Sequence, residues 1–273
     1  MKPFLRRAGS SIVVLAVVLA LNFFLFRIMP GDPILSISDP RFSPEAKAQL
    51  AAQWGLDRPM PEQFAVYVKE MLSFNFGLSM MTSAPVWDEL KNRLPNTVAL
   101  LLPALILSTA LGLWCGMVAA LKRGSFTERI VMMFGAVSFS FPSFFVQIML
   151  LMCFAYAIPM FPLSGTASIP PPEGIKALSD YLWHLALPVF SLTILGFGGF
   201  ALYIRNMMVK TLGEDYILMA RARGLPHRRI VWNHAFRGIL PPVLTIILMS
   251  VPGVVSGAVI TETVFSMNGV GRF

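Results

Sequence analysis

The sequence has little charge, little cysteine and little histidine. Only 13% of its 273 residues are Asp, Glu, Lys or Arg, whereas 56% are hydrophobic, and the mean hydropathy is +0.68. A soluble domain of this size could not bury so much apolar surface, so the composition predicts a polytopic membrane protein. Two cysteines and three histidines are too few for a disulfide framework or a metal site. Because Cys115 and Cys153 both fall in apolar runs, we interpret them as packing residues.

Nucleotide-binding and catalytic motifs are also missing from the sequence. It contains no Gly-x-x-x-x-Gly-Lys-Ser/Thr phosphate loop and no His-Glu-x-x-His, and no Ser, Cys or Asp has the sequence context of a nucleophile. Few ionisable residues interrupt the apolar runs, and those that do, Arg27 and Glu262, lie near predicted outer ends. This scarcity disfavours an ion-driven carrier or a voltage sensor. We therefore expect a non-enzymatic chain that binds no metal and no cofactor.

Five apolar runs predict five transmembrane helices, over about 11–29, 97–121, 130–157, 185–204 and 239–264. Basic residues concentrate in the short loop at 122–129 and in the stretch 205–237, whereas the loop at 159–184 has the single basic residue Lys176. Because lysine and arginine favour cytoplasmic loops, this asymmetry predicts that the N-terminal residues 1–10 are cytoplasmic. The predicted fold is therefore an all-α polytopic membrane protein.

Residues 30–94 form the one long polar stretch, which we predict to be a small helical extracytoplasmic segment. Pro30-Gly31-Asp32-Pro33 is expected to end the first span, and Ser43-Pro44-Glu45 is typical of a capped helix start. Apolar residues then recur at helical spacing, at Phe64, Val68, Met71 and Leu72. Residues 95–273 are predicted to form the transmembrane core, with the basic segment 212–237 on its cytoplasmic side.

Small and polar residues within the apolar runs allow two interpretations each. The pairs Gly112/Gly116 and Gly253/Gly257 permit close helix contact, either within this chain, which we favour, or with a partner subunit. Asn22, Gln147 and Glu262 are candidates for an outer gate or a transport path. The alternatives are helix-to-helix hydrogen bonds for the amides and a simply hydrated position for the carboxylate.

The basic segment is predicted to contain two short helices joined by a turn. Glu214 and Asp215 suit the start of a helix, and Arg221 and Arg223 suit its end, because of the helix dipole. Gly224 is placed to cap that helix, and Pro226 is placed to begin the next one, which continues into the fifth span. Attraction to anionic lipid would explain the charge alone. The capped helix with small residues at its tip favours a protein socket.

The same segment resembles a family. The run Asp-Tyr-Ile-Leu-Met-Ala-Arg-Ala-Arg-Gly-Leu at 215–225 is similar to the cytoplasmic coupling segment of ATP-binding-cassette importer permeases, and Ala-Arg-Ala-Arg-Gly-Leu is the form found in the dipeptide/oligopeptide/nickel permease family. Other stretches agree at matching places, at 30–33, 55–59, 76–79, 93–97, 140–144, 262–265 and 269–272. The long loop after the first span resembles that of the first of the two paired permeases.

Two departures accompany the resemblance. The broader importer pattern has Glu at the position of Leu218, although a different residue there is usual in this subfamily. Members also continue beyond the position of Phe273 into one more span, so six helices are expected in a complete chain.

The resemblance implies a multi-pass permease subunit of the bacterial cytoplasmic (inner) membrane. Its expected partners are a second homologous permease subunit, two ATPase subunits and an extracytoplasmic substrate-binding protein, with no nucleic acid. ATP and Mg are expected to be used by the ATPase subunits and not by this chain. The residues implied to couple to the ATPase are Asp215, Tyr216, Ala220, Arg221, Ala222, Arg223, Gly224 and Leu225.

The sequence leaves the substrate open. Peptide is the substrate class that we expect first, and nickel, glutathione or oligosaccharide carried by the same machinery are alternatives. A stand-alone channel or secondary carrier is a further alternative, and a membrane scaffold or enzyme is a remote one.

Overall fold

The computed structural model describes residues 2–28, 58–79, 82 and 84–273. Within these residues all regular secondary structure is helical, apart from one isolated β-bridge between Leu78 and Pro85. Four of the described helices are long and apolar enough to cross a membrane, and a bent pair counted as one span makes five. The predicted all-α polytopic fold is confirmed, whereas the sidedness of the chain stays a prediction.

The helices divide the chain as follows: α1 (Lys2–Ile28), α2 (Met60–Leu72), α3 (Val86–Leu121), α4 (Phe126–Ser140), α5 (Ser143–Leu151), α6 (Ile175–Leu212), α7 (Asp215–Ala222), α8 (His227–Arg229), α9 (Arg237–Ser256) and α10 (Val259–Val264). Two π-helical segments extend them, Met152–Ala157 after α5 and Ile230–Phe236 between α8 and α9.

The described residues form two compact units, Met1–Glu89 and Leu90–Phe273. In the first unit α2 confirms the helix predicted from the spacing of Phe64 and its neighbours. The ring of Phe23 in α1 lies 5.3 Å from that of Phe64 and 5.6 Å from that of Tyr67, so aromatic contacts join the two helices. The stop predicted at 30–33 and the helix start predicted at 43–45 lie outside the described residues.

The predicted third span, 130–157, is not one helix. Helix α4 ends at Ser140, Phe141 is extended with φ −96° and ψ 139°, and α5 begins after Pro142. A residue that precedes proline is disfavoured in the helical region, which explains the break. The two helical stretches meet at an angle of 99°.

The predicted fifth span, 239–264, is also divided. Helix α9 ends at Ser256, and Gly257 has φ 87° and ψ 163°, a conformation that is essentially restricted to glycine. The separate helix α10 then carries Glu262. By contrast, α8, the π-helical segment and α9 follow one another without interruption, which confirms that the helix begun after Pro226 continues into the apolar run.

Two helices are longer than the predicted spans. Helix α3 has 36 residues and α6 has 38, whereas about 20 residues cross the hydrocarbon core of a bilayer. The boundary predicted between residues 94 and 95 therefore falls inside α3, and the helix containing Arg205 continues to Leu212.

Glycine packing joins α3 to α6. A Cβ atom on Gly112 would lie 2.9 Å from the carbonyl oxygen of Phe197, and one on Gly116 would lie 2.6 Å from that of Ala201. The interpretation of this pair as packing within the chain is therefore confirmed. The second pair differs, because Gly253 faces open space whereas Gly257 lies against the backbone of Gly271.

Candidate functional sites

The first candidate site is a helical elbow, which we define as residues 214–226. Its helix α7 begins after Glu214, an extended residue whose carbonyl oxygen accepts from the amides of Ile217 and Leu218. Asp215 stands in the first turn and Arg221 in the last, as the helix dipole favours. The predicted positions of the helix start and end are confirmed.

Gly224 ends the elbow helix in the predicted way. Its φ is +70°, its amide donates to the carbonyl of Arg221 at 2.9 Å, and the amide of Leu225 donates to the carbonyl of Ala220 at 3.4 Å. This pair of bonds is the Schellman motif, which satisfies carbonyls that the helix itself leaves free. The turn directs the chain toward Pro226 and α8.

The elbow helix has one buried side and one exposed side. Ile217 is 0% exposed and Ala220 is 5% exposed, and both pack in a core with Met208, Ile230 and Ile239. Ala220 is therefore small because it packs inward, not because a partner grips it. Leu218 and Met219 are 51% and 64% exposed, and Arg221, Ala222 and Arg223 are exposed with them.

Tyr216 links the elbow to α9. A Cβ atom on Gly238 would lie 2.7 Å from the phenol oxygen of Tyr216, so the hydroxyl lies close against the backbone of α9 and would have to shift if residue 238 carried a side chain. Partial burial and then the nearby carboxylate of Glu214 raise the pKa of Tyr216. The phenol is therefore neutral and able to donate a hydrogen bond at neutral pH.

An ion pair between Glu128, in the first turn of α4, and Arg205, in the last third of α6, was not among the predicted site residues. The Nε atom of Arg205 donates to Glu128 at 2.9 Å, and its Nη2 atom also contacts this carboxylate. Glu128 further accepts from the amide of Gly124, and its own amide donates to the side chain of Ser125. The spacing Ser-x-x-Glu at 125–128 is a helix-capping pattern, which is a signal that sequence reasoning could have used.

The second candidate site is the Glu262 cluster, which we define as Thr97, Gln147, Thr261, Glu262 and the turn 268–272. Glu262 is 0% exposed. Its carboxylate accepts from the hydroxyl of Thr97 at 2.9 Å, from the amide of Arg272 at 3.0 Å and from the amide of Ala258 at 3.4 Å. The interpretation of Glu262 as simply hydrated is therefore wrong.

Glycines make this burial of Glu262 geometrically feasible. A Cβ atom on Gly269 would lie 2.3 Å from the carboxylate carbon of Glu262, and one on Gly271 would lie 2.7 Å from the amide nitrogen of Val259. The hydroxyl of Thr97 also accepts from the amide of Val270 at 2.8 Å. The turn thus wraps closely around the carboxylate and attaches it to α3.

Gln147 extends the cluster to α5. Its side chain is 0% exposed, and its Nε2 atom donates to the hydroxyl of Thr261 at 2.8 Å. Its Oε1 atom has no hydrogen-bond partner among the described residues. Gln147 and Glu262, predicted separately, are therefore joined through Thr261.

Asn22, the third candidate for the path, is not part of the hydrogen-bond network that, among the described residues, links Gln147 to Thr261 and Thr97 to Glu262. It lies in α1, in the other unit, with an exposed side chain that donates to the carbonyl of Val18 at 3.1 Å. Asn96, which was not among the predicted site residues, is hydrogen-bonded to the turn of the cluster. Its side chain donates to the carbonyl of Asn268 at 2.9 Å and accepts from the phenol of Tyr181 at 3.0 Å.

Comparison with known proteins gives a consistent result over the chain. The family model "Binding-protein-dependent transport system inner membrane component" matches residues 112–273, and the model of the N-terminal part of such membrane components matches residues 1–101. The dipeptide transport system permease protein DppB of Escherichia coli is 34% identical over 98% of this chain and 85% of that protein. The di/tripeptide transport system permease protein DppB of Pseudomonas aeruginosa is 34% identical over 98% of this chain and 84% of its own length. The dipeptide transport system permease protein DppB of Lactococcus lactis is 31% identical over 99% and 84%.

Proposed function

The chain belongs to the family of binding-protein-dependent transport system inner membrane components, and from this premise we propose that it is a permease subunit of an ATP-binding-cassette peptide importer. It forms half of the pore with a second homologous permease. An extracytoplasmic binding protein delivers the substrate, and two ATPase subunits power the cycle. The chain itself is non-catalytic and binds no cofactor.

The observation that carries this proposal is the two-sided elbow. Its inner side is anchored in the core by Ile217 and Ala220, whereas its outer side presents Leu218 and Met219 to solvent. Exposed apolar side chains beside arginines, on a helix too short to span a membrane, are typical of a contact with another protein. ATPase closure pulls on this surface, and the anchored side passes the movement to α6 and α9.

The Glu262 cluster has a different role in the proposed cycle. The side chains of Thr97, Gln147, Thr261 and Glu262 face one another inside the protein and are closed to solvent. We assign it to the outer gate as the fixed joint that positions α3, α5 and α10, and not as a surface that touches substrate. Asn22 remains a candidate for the path.

Peptide is the proposed cargo because three of the relatives carry dipeptide or di/tripeptide transport in their names. Nickel, glutathione and oligosaccharide remain alternatives for the same machinery. Reconstitution of the assembled transporter with its binding protein separates them: we expect ATP-dependent uptake of a labelled dipeptide that unlabelled dipeptides compete away. Uptake by this chain alone, without ATP, would support a stand-alone carrier instead.

Crosslinking tests the coupling role of the elbow. A single cysteine at Met219, in a chain whose Cys115 and Cys153 are replaced by serine, is expected to crosslink to an ATPase subunit in the assembled transporter. A cysteine at Lys122, which is exposed in the other predicted cytoplasmic loop, is the matched control and should crosslink much less. An assembled transporter that gives no crosslink at 219 would contradict the coupling proposal.

A further inference from the structure

A basic groove lies on the exposed side of α8 and the π-helical segment. It has a volume of about 500 Å³ and is lined by Pro226, Arg228, Arg229, Trp232 and Asn233. All five residues are exposed, and none of them is acidic. Neither guanidinium has a hydrogen-bond or ion-pair partner among the residues that the structure describes. The groove is therefore shallow and open, and it presents unpaired positive charge to the surroundings.

The opposite side of the same segment fixes the groove in place. Ile230, Val231 and Ala235 are 5%, 3% and 0% exposed and pack in the core that also anchors the elbow. Trp232 points the other way with 49% of its surface exposed, and its ring lies 5.5 Å from that of Phe236. The indole is thus held at the edge of the groove.

An exposed apolar stripe leads away from the groove along α9. Leu240, Leu244 and Leu248 follow Phe236 at intervals of four residues, which places them on one helix face, and they are 36%, 48% and 67% exposed. Helix α9 has 20 residues, so it is about 30 Å long, which is about the thickness of a bilayer's hydrocarbon core. A membrane that surrounds α9 therefore brings its headgroups to the level of the groove.

We propose that this groove binds the phosphate headgroup of an anionic phospholipid, whose acyl chains lie along the leucine stripe. Guanidinium groups bind phosphate oxygens with two parallel hydrogen bonds, and tryptophan favours the membrane interface. Continuity with the stripe favours a lipid over the ATPase, whose proposed contact is the exposed side of α7 at Leu218 and Met219; the groove shares only Pro226 with the elbow. The inference goes beyond the proposed function, because it needs neither an ATPase nor a transported substrate.

Fluorescence of Trp232 tests the proposal directly. The assembled transporter is placed in lipid discs that contain brominated phosphatidylglycerol or brominated phosphatidylcholine, and the signal of Trp232 is taken as the difference from a Trp232→Phe variant. We expect phosphatidylglycerol to quench this signal at the lower mole fraction. Each arginine is expected to contribute a preference of about 5-fold, or roughly 30-fold together, at about 1 kcal/mol per basic residue.

Three variants define the outcome. The double substitution Arg228→Gln with Arg229→Gln should abolish the preference, and Arg228→Lys with Arg229→Lys should retain part of it, because charge remains without the bidentate geometry. Lys122→Gln with Arg123→Gln removes the same charge from another exposed loop and should leave the preference intact. An equal loss in this control, or no preference in the unaltered protein, would overturn the proposal.

Two further arms distinguish other ligands. Inorganic phosphate should not displace the brominated phosphatidylglycerol; if it does, the groove takes free phosphate and the lipid assignment is wrong. A cysteine at Asn233 should not crosslink to an ATPase subunit in the assembled transporter. A crosslink there would overturn the proposal by making the groove a protein contact. Failure of the importer function itself would leave all of these lipid measurements interpretable.

Discussion

The elbow and the Glu262 cluster are built in opposite ways. In the elbow, Leu218 and Met219 face solvent, and the buried side chains of Ile217 and Ala220 anchor the opposite side of the helix in the core. In the cluster, a carboxylate lies inside the protein and hydrogen bonds hold it from several directions. Apolar side chains are outside in one region, and polar side chains are inside in the other.

This contrast indicates a difference in what each region can tolerate. An exposed side chain contributes little to the free energy of unfolding, so the surface of the elbow is free to be shaped by a partner. The cluster joins Thr97 to a residue 165 positions later, and a buried acceptor that loses its donor is costly. We expect substitutions in the cluster to impair stability and substitutions in the elbow to impair coupling.

The largest effect is expected from Gly257→Ala. Gly257 has φ +87°, and an added Cβ would lie 2.6 Å from the backbone nitrogen of Gly271. Backbone strain and overpacking together should lower the free energy of unfolding by about 3 kcal/mol or more. Thermal unfolding of the purified chain in mild detergent measures this change.

Gly253→Ala is the matched control for that substitution. Gly253 lies four residues earlier, and an added Cβ would meet nothing within 4 Å. Because alanine is favoured over glycine in a helix, its stability should be unchanged or higher by up to about 1 kcal/mol. Equal losses for the two variants would show that the turn around Glu262 does not hold the chain together.

A smaller loss is expected from Thr97→Val. The hydroxyl of Thr97 donates to Glu262 and accepts from the amide of Val270, and valine removes both bonds at nearly the same volume. The expected loss is about 2 kcal/mol in the same unfolding measurement.

Thr109→Val makes the same change on the same helix as a control. The Oγ1 atom of Thr109 is buried without a hydrogen-bond partner among the described residues, so no bond is lost. Stability should stay within about 1 kcal/mol of the unaltered protein or rise. If Thr109→Val lowered the free energy of unfolding as much as Thr97→Val does, the loss would come from placing valine in this helix and not from breaking the hydrogen bonds of the Glu262 cluster.

The elbow was the more predictable region because its signals are local. The acidic start, the basic end and Gly224 lie within one short segment, and the structure has the helix between the predicted start and the predicted C-terminal cap. The side to which Ala220 faces was not predictable, because that depends on a core built from α6 and the π-helical segment. The local sequence determines where the helix begins and ends, whereas tertiary packing determines which of its faces is buried.

The Glu262 cluster could not be deduced from the sequence for the same reason. Thr97, Gln147 and Glu262 each stood in or beside a recognisable pattern, but nothing local indicates that they meet. The break at Gly257 was missed because an apolar run with two glycines four residues apart, Gly253 and Gly257, is typical of a continuous packed span, and the close approach of Gly271 is invisible in the run itself. The break at Pro142 was the more accessible of the two, since proline restricts the residue before it.

A small loss of stability with a large loss of coupling is expected from Gly224→Ala. Alanine at φ +70° costs about 1 kcal/mol, but the added methyl group meets nothing within 4 Å. Because this turn directs the elbow, ATP-dependent uptake should fall by more than the change in stability explains. Gly213→Ala, at φ −93°, is the control and should leave both quantities nearly unchanged. If uptake fell equally in the Gly213→Ala variant, the left-handed backbone conformation of residue 224 would not be important for coupling.

The smallest effect on stability, and the sharpest test of the contrast, is expected from Leu218→Ser combined with Met219→Ser. Both side chains are at least half exposed, so the free energy of unfolding should stay within about 0.5 kcal/mol. Loss of apolar contact at an interface should nevertheless weaken the affinity for the ATPase by about tenfold or more, as measured by titration of purified ATPase onto the reconstituted permease pair. Ile175→Ser, at a residue 87% exposed at the other end of α6, is the matched control and should not change that affinity. An unchanged affinity in the double variant would show that Leu218 and Met219 do not contact the ATPase. The elbow and the Glu262 cluster would then differ in burial but not in function.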